Sequence, residues 1–151
     1  VMNMIRKPRK YGPPPSPSPF SDDQTALARL IWSVARHASV REREAIAAVV
    51  MNRIKNRRHR NCDAVQTMFD VCVAMERFTG SVECLRPEPG DADYDCCCRI
   101  ARRAIAGGLG DPTKGATRYH FVDACPSWSH GHAPSAWVGS RLFYRMPELN
   151  T

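Results

Sequence analysis

The sequence predicts a helix-rich α+β domain carrying an extended proline-rich N-terminal arm. Three observations lead there. Apolar residues recur at helical spacing in separate stretches between Leu27 and Ala106. The final third trades that period for aromatics and turn formers, as in "GDPTKGATRYHFVDACPSWSHGHAPSAWVGSRLFYR". At 151 residues the chain suits one compact domain with a real core, and no apolar run approaches the length of a bilayer crossing.

Residues 1–20 read as the arm. "RKPRKYGPPPSPSPF" holds five prolines from Pro13 to Pro19, and proline fixes extended polyproline geometry. Such an arm is disordered alone, so an ordered one must lie against its own domain or a partner chain. The globular part is residues 21–151. Ser21 is placed to cap a first helix, with Asp22 and Asp23 at its positive end and Gln24 three residues on. Leu27, Leu30, Ile31 and Val34 then form one apolar stripe. A second helix is expected from about Arg41 to Asn56, its buried face lined by Ile46, Val49, Val50 and Ile54. Ala45, Ala47 and Ala48 permit close approach there.

A short helix is expected between Cys62 and about Ala74, and a loop from Phe78 to Gly90. A third long helix runs from about Asp93 to Ala106, stopped by Gly107 and Gly108. Short strands are expected around Thr117–Val122 and Leu142–Arg145.

A net charge of +7 and a pI near 9.3 favour anionic surroundings: nucleic acid, envelope polymers or acidic proteins. The densest cluster, "RIKNRRHR" from Arg53 to Arg60, ends a helix, where cations suit the macrodipole. No aromatic interleaving or nucleic-acid motif accompanies it, so nucleic acid is not the expected partner. The basic opening "VMNMIRKPRK" meets no apolar signal segment. The expectation is therefore no Sec-type export and no membrane, and a place in the cytoplasm or in a particle such as a phage virion.

The seven cysteines are Cys62, Cys72, Cys84, Cys96, Cys97, Cys98 and Cys125. An odd count leaves at least one thiol free or bonded to another chain. On a helix, Cys96, Cys97 and Cys98 point about 100° apart, so they cannot share one partner. At least one should be buried and at least one outward. Reduced structural cysteines are the default, and an inter-chain disulfide in an assembly is the sharper alternative. His120, Cys125, His130 and His132 offer zinc-type donors within thirteen residues, but at no finger or ribbon spacing. No metal or cofactor is expected.

The segments "LARLIWSVAR", "AIAAVVMNRIKN", "DPTKGATRYHF", "PSW" and "GSRLFYR" stand in an order that resembles the bacterial cell-wall hydrolase family that includes spore-cortex-lytic enzymes. The resemblance covers about Leu27 to Arg145. It implies a lysozyme-like, lytic-transglycosylase-type fold acting on peptidoglycan glycan strands. In that family the first helix typically reads Gly-Glu-Ala-Arg-Gly-Glu, and its first glutamate is the catalytic acid. Counting back without a gap from "AAVVMNR" puts that acid at Val34 and the second acidic position at Ala38. The two glycines fall at Ser33 and His37, and Ala35 and Arg36 match.

Glycosidic cleavage needs a proton delivered to the leaving oxygen, and valine has none to give. Loss of general acid catalysis alone costs about 10²- to 10⁴-fold. Glu42 and Glu44, at the turn and the start of the second helix, are expected to face solvent. Glu76, in "MERFTG", is the candidate substitute, expected on a loop bordering the cleft. Tyr119, His120 and Trp128 are candidate glycan contacts, because aromatic faces stack on sugar rings, although core packing is the commoner use of such residues.

The expected function is thus a hydrolase-like protein with lost or severely weakened catalysis, serving in an assembly or binding glycan. An active lytic enzyme using another acid is the alternative.

Overall fold

The computed structural model describes residues 22–59, 68–79 and 87–146. Four helices come first: α1 (Asp22–Ala35), α2 (Val40–His59), α3 (Met68–Thr79) and α4 (Ala92–Ile105). Three short strands follow, β1 (Arg118–Phe121), β2 (Ala136–Val138) and β3 (Arg141–Tyr144), with a 3-10 turn at Ser127–Ser129. The strands form one antiparallel sheet in the order β1-β3-β2. The helix-rich α+β expectation holds. No described helix is long and apolar enough to cross a membrane.

The helical core follows from the periodicity. Leu27, Leu30 and Ile31 of α1 meet Ile46, Val49 and Val50 of α2, and all six are fully buried. Val71 and Met75 of α3 and Cys97, Ile100 and Ala101 of α4 close the cluster. Ala45, Ala47 and Ala48 are buried on α2, as the close-approach reading expects. Helix α4 starts at an Asp91 N-cap whose carboxylate accepts from the Tyr94 N–H at 2.9 Å. Past its end, Gly107 takes φ 77°, the left-handed conformation that closes helices.

Two boundaries differ from expectation. Helix α3 runs on to Thr79, so "MERFTG" as far as Thr79 is helix rather than loop. Packing of Val71, Cys72 and Met75 into the core carries the helix past the point where the local turn signals predict its end. Strand β2 was not expected: three residues carry too little alternation to announce it, and it exists by pairing with β3. The arm at 1–20, and Ser21 as a cap, lie outside the described residues.

The two faces of the sheet are unlike. Arg141 and Phe143 point inward at 3% and 0% exposure. On the other face the Tyr144 and His120 rings stack with centroids 5.2 Å apart, and Trp128 meets both edge-on.

The "DPTKGA" loop feeds β1 and is knotted by one side chain. Asp111 accepts from Thr113 N–H and hydroxyl at 2.8 and 2.6 Å, from Gly115 N–H at 2.8 Å and from the Asn52 amide of α2 at 3.0 Å. Gly115 sits at φ 87°, beyond a left-handed Lys114 at φ 58°. Burial opposes the Asp111 charge, but the hydrogen bonds from Thr113, Asn52 and Gly115 outweigh it and hold the carboxyl below its ordinary value. Arg53 adds a bond from Nε to the Thr117 carbonyl at 2.6 Å, so the first arginine of the basic cluster is a structural link to the sheet.

Candidate active-site cleft

The α1–α2 turn forms one wall of the cleft. A helix ends with unpaired carbonyls and the negative end of its dipole. Here two buried arginines satisfy them. Arg141 Nη2 donates to the Val34 carbonyl at 2.6 Å, and Arg43 donates through Nε to Ala35 at 3.1 Å and through Nη2 to Arg36. Each guanidinium has a carboxylate: Asp93 for Arg43 at 2.9 Å, and Glu42 for Arg141.

Glu42 lies in the first turn of α2. Its N–H donates to the Ser39 hydroxyl at 3.2 Å, so Ser39 is the helix cap. The Ser39–Glu42 spacing is that of a capping box, in which the glutamate would turn back to the cap. Instead its Oε1 reaches the sheet, accepting from the Ser140 N–H at 3.3 Å, the Ser140 hydroxyl at 2.6 Å and Arg141 Nη1. Glu42 is 4% exposed, which corrects the solvent-facing expectation. A side chain at Gly139, where φ is 59°, would run into this carboxylate.

Between these elements lies a cleft of about 450 Å³ lined by residues 33–39 of the turn and by Glu42, Phe121, Ser140 and Arg141. Val34 and Ala38 both line it, half-buried against the edge of the core. Val34 is thus a wall residue of the cleft as well as an extension of the apolar stripe.

The other candidates fall elsewhere. Glu76 is on α3, and its side chain lies outside the described residues. Tyr119 faces inward against Phe143, with ring centroids 5.7 Å apart; burial pushes its hydroxyl pKa up, and the hydroxyl lacks a hydrogen-bond partner among the described residues. His120 and Trp128 come together on the opposite face of the sheet, where His120 Nε2 meets the Tyr144 hydroxyl at 2.9 Å. The three are therefore not one surface, because adjacent strand residues point to opposite faces.

Among the described residues Cys96, Cys97, Cys98 and Cys125 are free thiols and Cys72 is buried, and Cys62 and Cys84 lie outside the described residues. Cys97 and Cys98 are buried and Cys96 is half-buried, so none of the three looks fully outward. Burial pushes the Cys97 thiol up to about 12. Cys125 Sγ lies 3.4 Å from His130 Nε2, and no group of three or more His, Cys, Asp or Glu placed to hold a metal occurs among the described residues.

This arrangement can be compared with known proteins. The pattern of the family described as Cell Wall Hydrolase matches residues 38–144. The chain belongs to the cell wall hydrolase family. The matched span opens at Ala38, four positions beyond Val34. The fold is similar to the catalytic domain of the germination-specific lytic transglycosylase SleB from Bacillus anthracis, with a TM-score of 0.60 at 21% identity, covering 85% of this chain and 99% of that one. It is likewise similar to the catalytic domain of SleB from Bacillus cereus, with a TM-score of 0.59 at 21% identity, covering 88% and 99%. No curated protein matches the sequence.

Within this hydrolase fold, the residue that sequence reasoning missed is Glu42. Two signals were available: the Ser39–Glu42 capping spacing, and a lone arginine at the start of "RLFYR". Neither gives the partner, because the two residues are 99 positions apart.

Proposed function

We propose that this cell wall hydrolase domain has lost the family's proton donor, and that it holds glycan strands or serves as a structural part of an assembly such as a phage virion. The observation that carries the reading is the pairing of Val34 with Glu42 in one cleft. Where the resemblance places the acid, the wall is apolar, and the carboxylate that does line the cleft is committed to Arg141 and Ser140.

Digestion of purified peptidoglycan, with fragments read by mass spectrometry, tests this on wild type beside Val34→Glu. Wild type is expected to release no anhydro-muropeptides. Val34→Glu is expected to release them slowly, because Arg141 lines the same cleft and would hold the new carboxyl ionised. Release by wild type sinks the reading.

The second reading, an active enzyme using another acid, is favoured by one fact: Glu42 reaches the cleft. Release by wild type that disappears in Glu42→Gln would establish it.

The assembly role rests on the odd cysteine count and the Pro-rich arm, which suit partner chains and an inter-chain disulfide. Multimers that collapse on a reducing gel support it, and a monomer under both conditions removes it.

A further inference from the structure

The face of the sheet opposite Arg141 and Phe143 carries an aromatic strip that takes no part in the cleft. His120 of β1 and Trp137 of β2 both pair with Leu142 of β3, and residues directly opposite across strands share a face. Trp128 and Tyr144 pack around the His120 ring. Trp137 is 69% exposed, and its indole N–H donates to the Gly139 carbonyl at 2.9 Å, which steadies an uncovered ring. Neighbouring strands lie about 4.8 Å apart, so His120 and Trp137 stand about 10 Å from each other across β3. The sequence holds a segment of matching period. "PPPSP" puts Pro14 and Pro17 three residues apart, and three residues of polyproline helix advance about 9 Å. Aromatic-lined grooves take such segments because the polyproline helix is already formed and loses little entropy on docking.

We infer that this strip is the docking site for the Pro-rich arm of a second copy of the chain. The chain's own arm is too short. The sheet meets α1 at the helix's C-terminal end, where Arg141 donates to the Val34 carbonyl, and the strip lies on the far face of that sheet. Asp22, where the arm joins the domain, is twelve residues back along α1, about 18 Å. Pro17 is five residues from Asp22 and reaches about 17 Å fully extended, less than the helix alone spans. An arm from a second copy has no such tether. Reciprocal exchange, each arm on the other's strip, closes a two-fold dimer in which one contact is made twice. This inference rests on the reading that the chain serves in an assembly, and it gives that assembly a contact independent of the cysteines.

The test is sedimentation of the full chain in excess reductant, so that no disulfide contributes. Wild type should be a dimer. Trp137→Ala, and a variant combining Pro14→Ala with Pro17→Ala, should each weaken dimerisation by about ten-fold or more, as loss of a docking anchor does. Far-UV circular dichroism should be unchanged in the Trp137 variant, because an exposed ring is no part of the core. Mixing the two variants should recover part of the dimer, since one keeps the arm and the other keeps the strip. A monomeric wild type, a dimer that survives either substitution, or a mixture that stays monomeric overturns the inference. None of these touches the non-cutting reading, which falls only to release of fragments from peptidoglycan. The assembly role falls only if the chain is monomeric without reductant as well.

Discussion

In the 111–116 loop one carboxylate, Asp111, collects four hydrogen bonds, three of them from residues within four positions. In the cleft another carboxylate, Glu42, collects three, all from residues about a hundred positions away. Both are structural anchors. The first lies in a segment where the resemblance to cell wall hydrolases is plain. The second lies in the cleft that Val34 and Ala38 line. The comparison teaches that the recognisable segments of this chain are those that hold the scaffold: Asn52 and Asp111 tie α2 to the loop, and Phe143 fills the core under the sheet. A family likeness carried by such segments fixes the architecture and leaves the chemistry of the cleft to be read separately.

The Glu42–Arg141 pair is the stronger of the two anchors. Arg141→Ala would leave Glu42 buried and unpaired and free the Val34 carbonyl. The expected loss is about 3–5 kcal/mol, against a smaller loss when both partners are replaced by apolar residues. At roughly 2–4 °C per kcal/mol for a domain of this size, thermal unfolding should fall by about 10 °C. If the single variant is no less stable than wild type, the cleft pair is not an anchor.

Asp111→Ala tests the other side. It strands the Thr113 and Gly115 donors and should cost about 1–3 kcal/mol in urea unfolding. The pH sign follows from the depressed Asp111 carboxyl: its stabilisation is present above the unfolded value near ~4 and is lost as pH falls toward the folded one. Asp111→Asn should flatten that acid limb. Unchanged acid sensitivity would move the effect to another carboxyl.

Ser39→Ala sharpens the contrast within the cleft wall. It removes the α2 cap for about 1 kcal/mol while leaving the Glu42–Arg141 pair in place. A loss as large as that of Arg141→Ala would mean that the cap, not the ion pair, holds the turn.

An effect confined to alkaline pH is expected at Cys97. Its buried thiol stays protonated up to about 12, whereas the unfolded thiol ionises near ~8.5. Its contribution is therefore full below the unfolded value and fades as pH rises through that window, since the unfolded state then binds fewer protons. Cys97→Ala should remove this alkaline slope, measured by denaturation between the two values.

Much of the fold was legible in the sequence, and the reasons are local. Apolar spacing announced α1, α2 and α4 and their buried faces, and Gly107 marked the stop of α4. The extension of α3 to Thr79 and the existence of β2 were not legible, because core contacts and pairing with β3 made them. The candidate site was legible in part. Val34 and Ala38 are singled out by counting back without a gap from "AAVVMNR", and both line the cleft. The split of Tyr119 from His120 and Trp128 follows from strand alternation once β1 is known to be a strand.

By itself the sequence determined the helix-rich class, the family and the apolar residue at position 34. Each is a matter of residue type and short-range spacing, which the chain carries without folding. Only the tertiary structure decided that Glu42 turns away from its helix cap to neutralise Arg141, and that Arg141 in turn closes the end of α1 through the Val34 carbonyl. Those contacts join residues some hundred positions apart, so they are set by how the sheet docks on the α1–α2 turn and by the cost of leaving a buried charge without its partner.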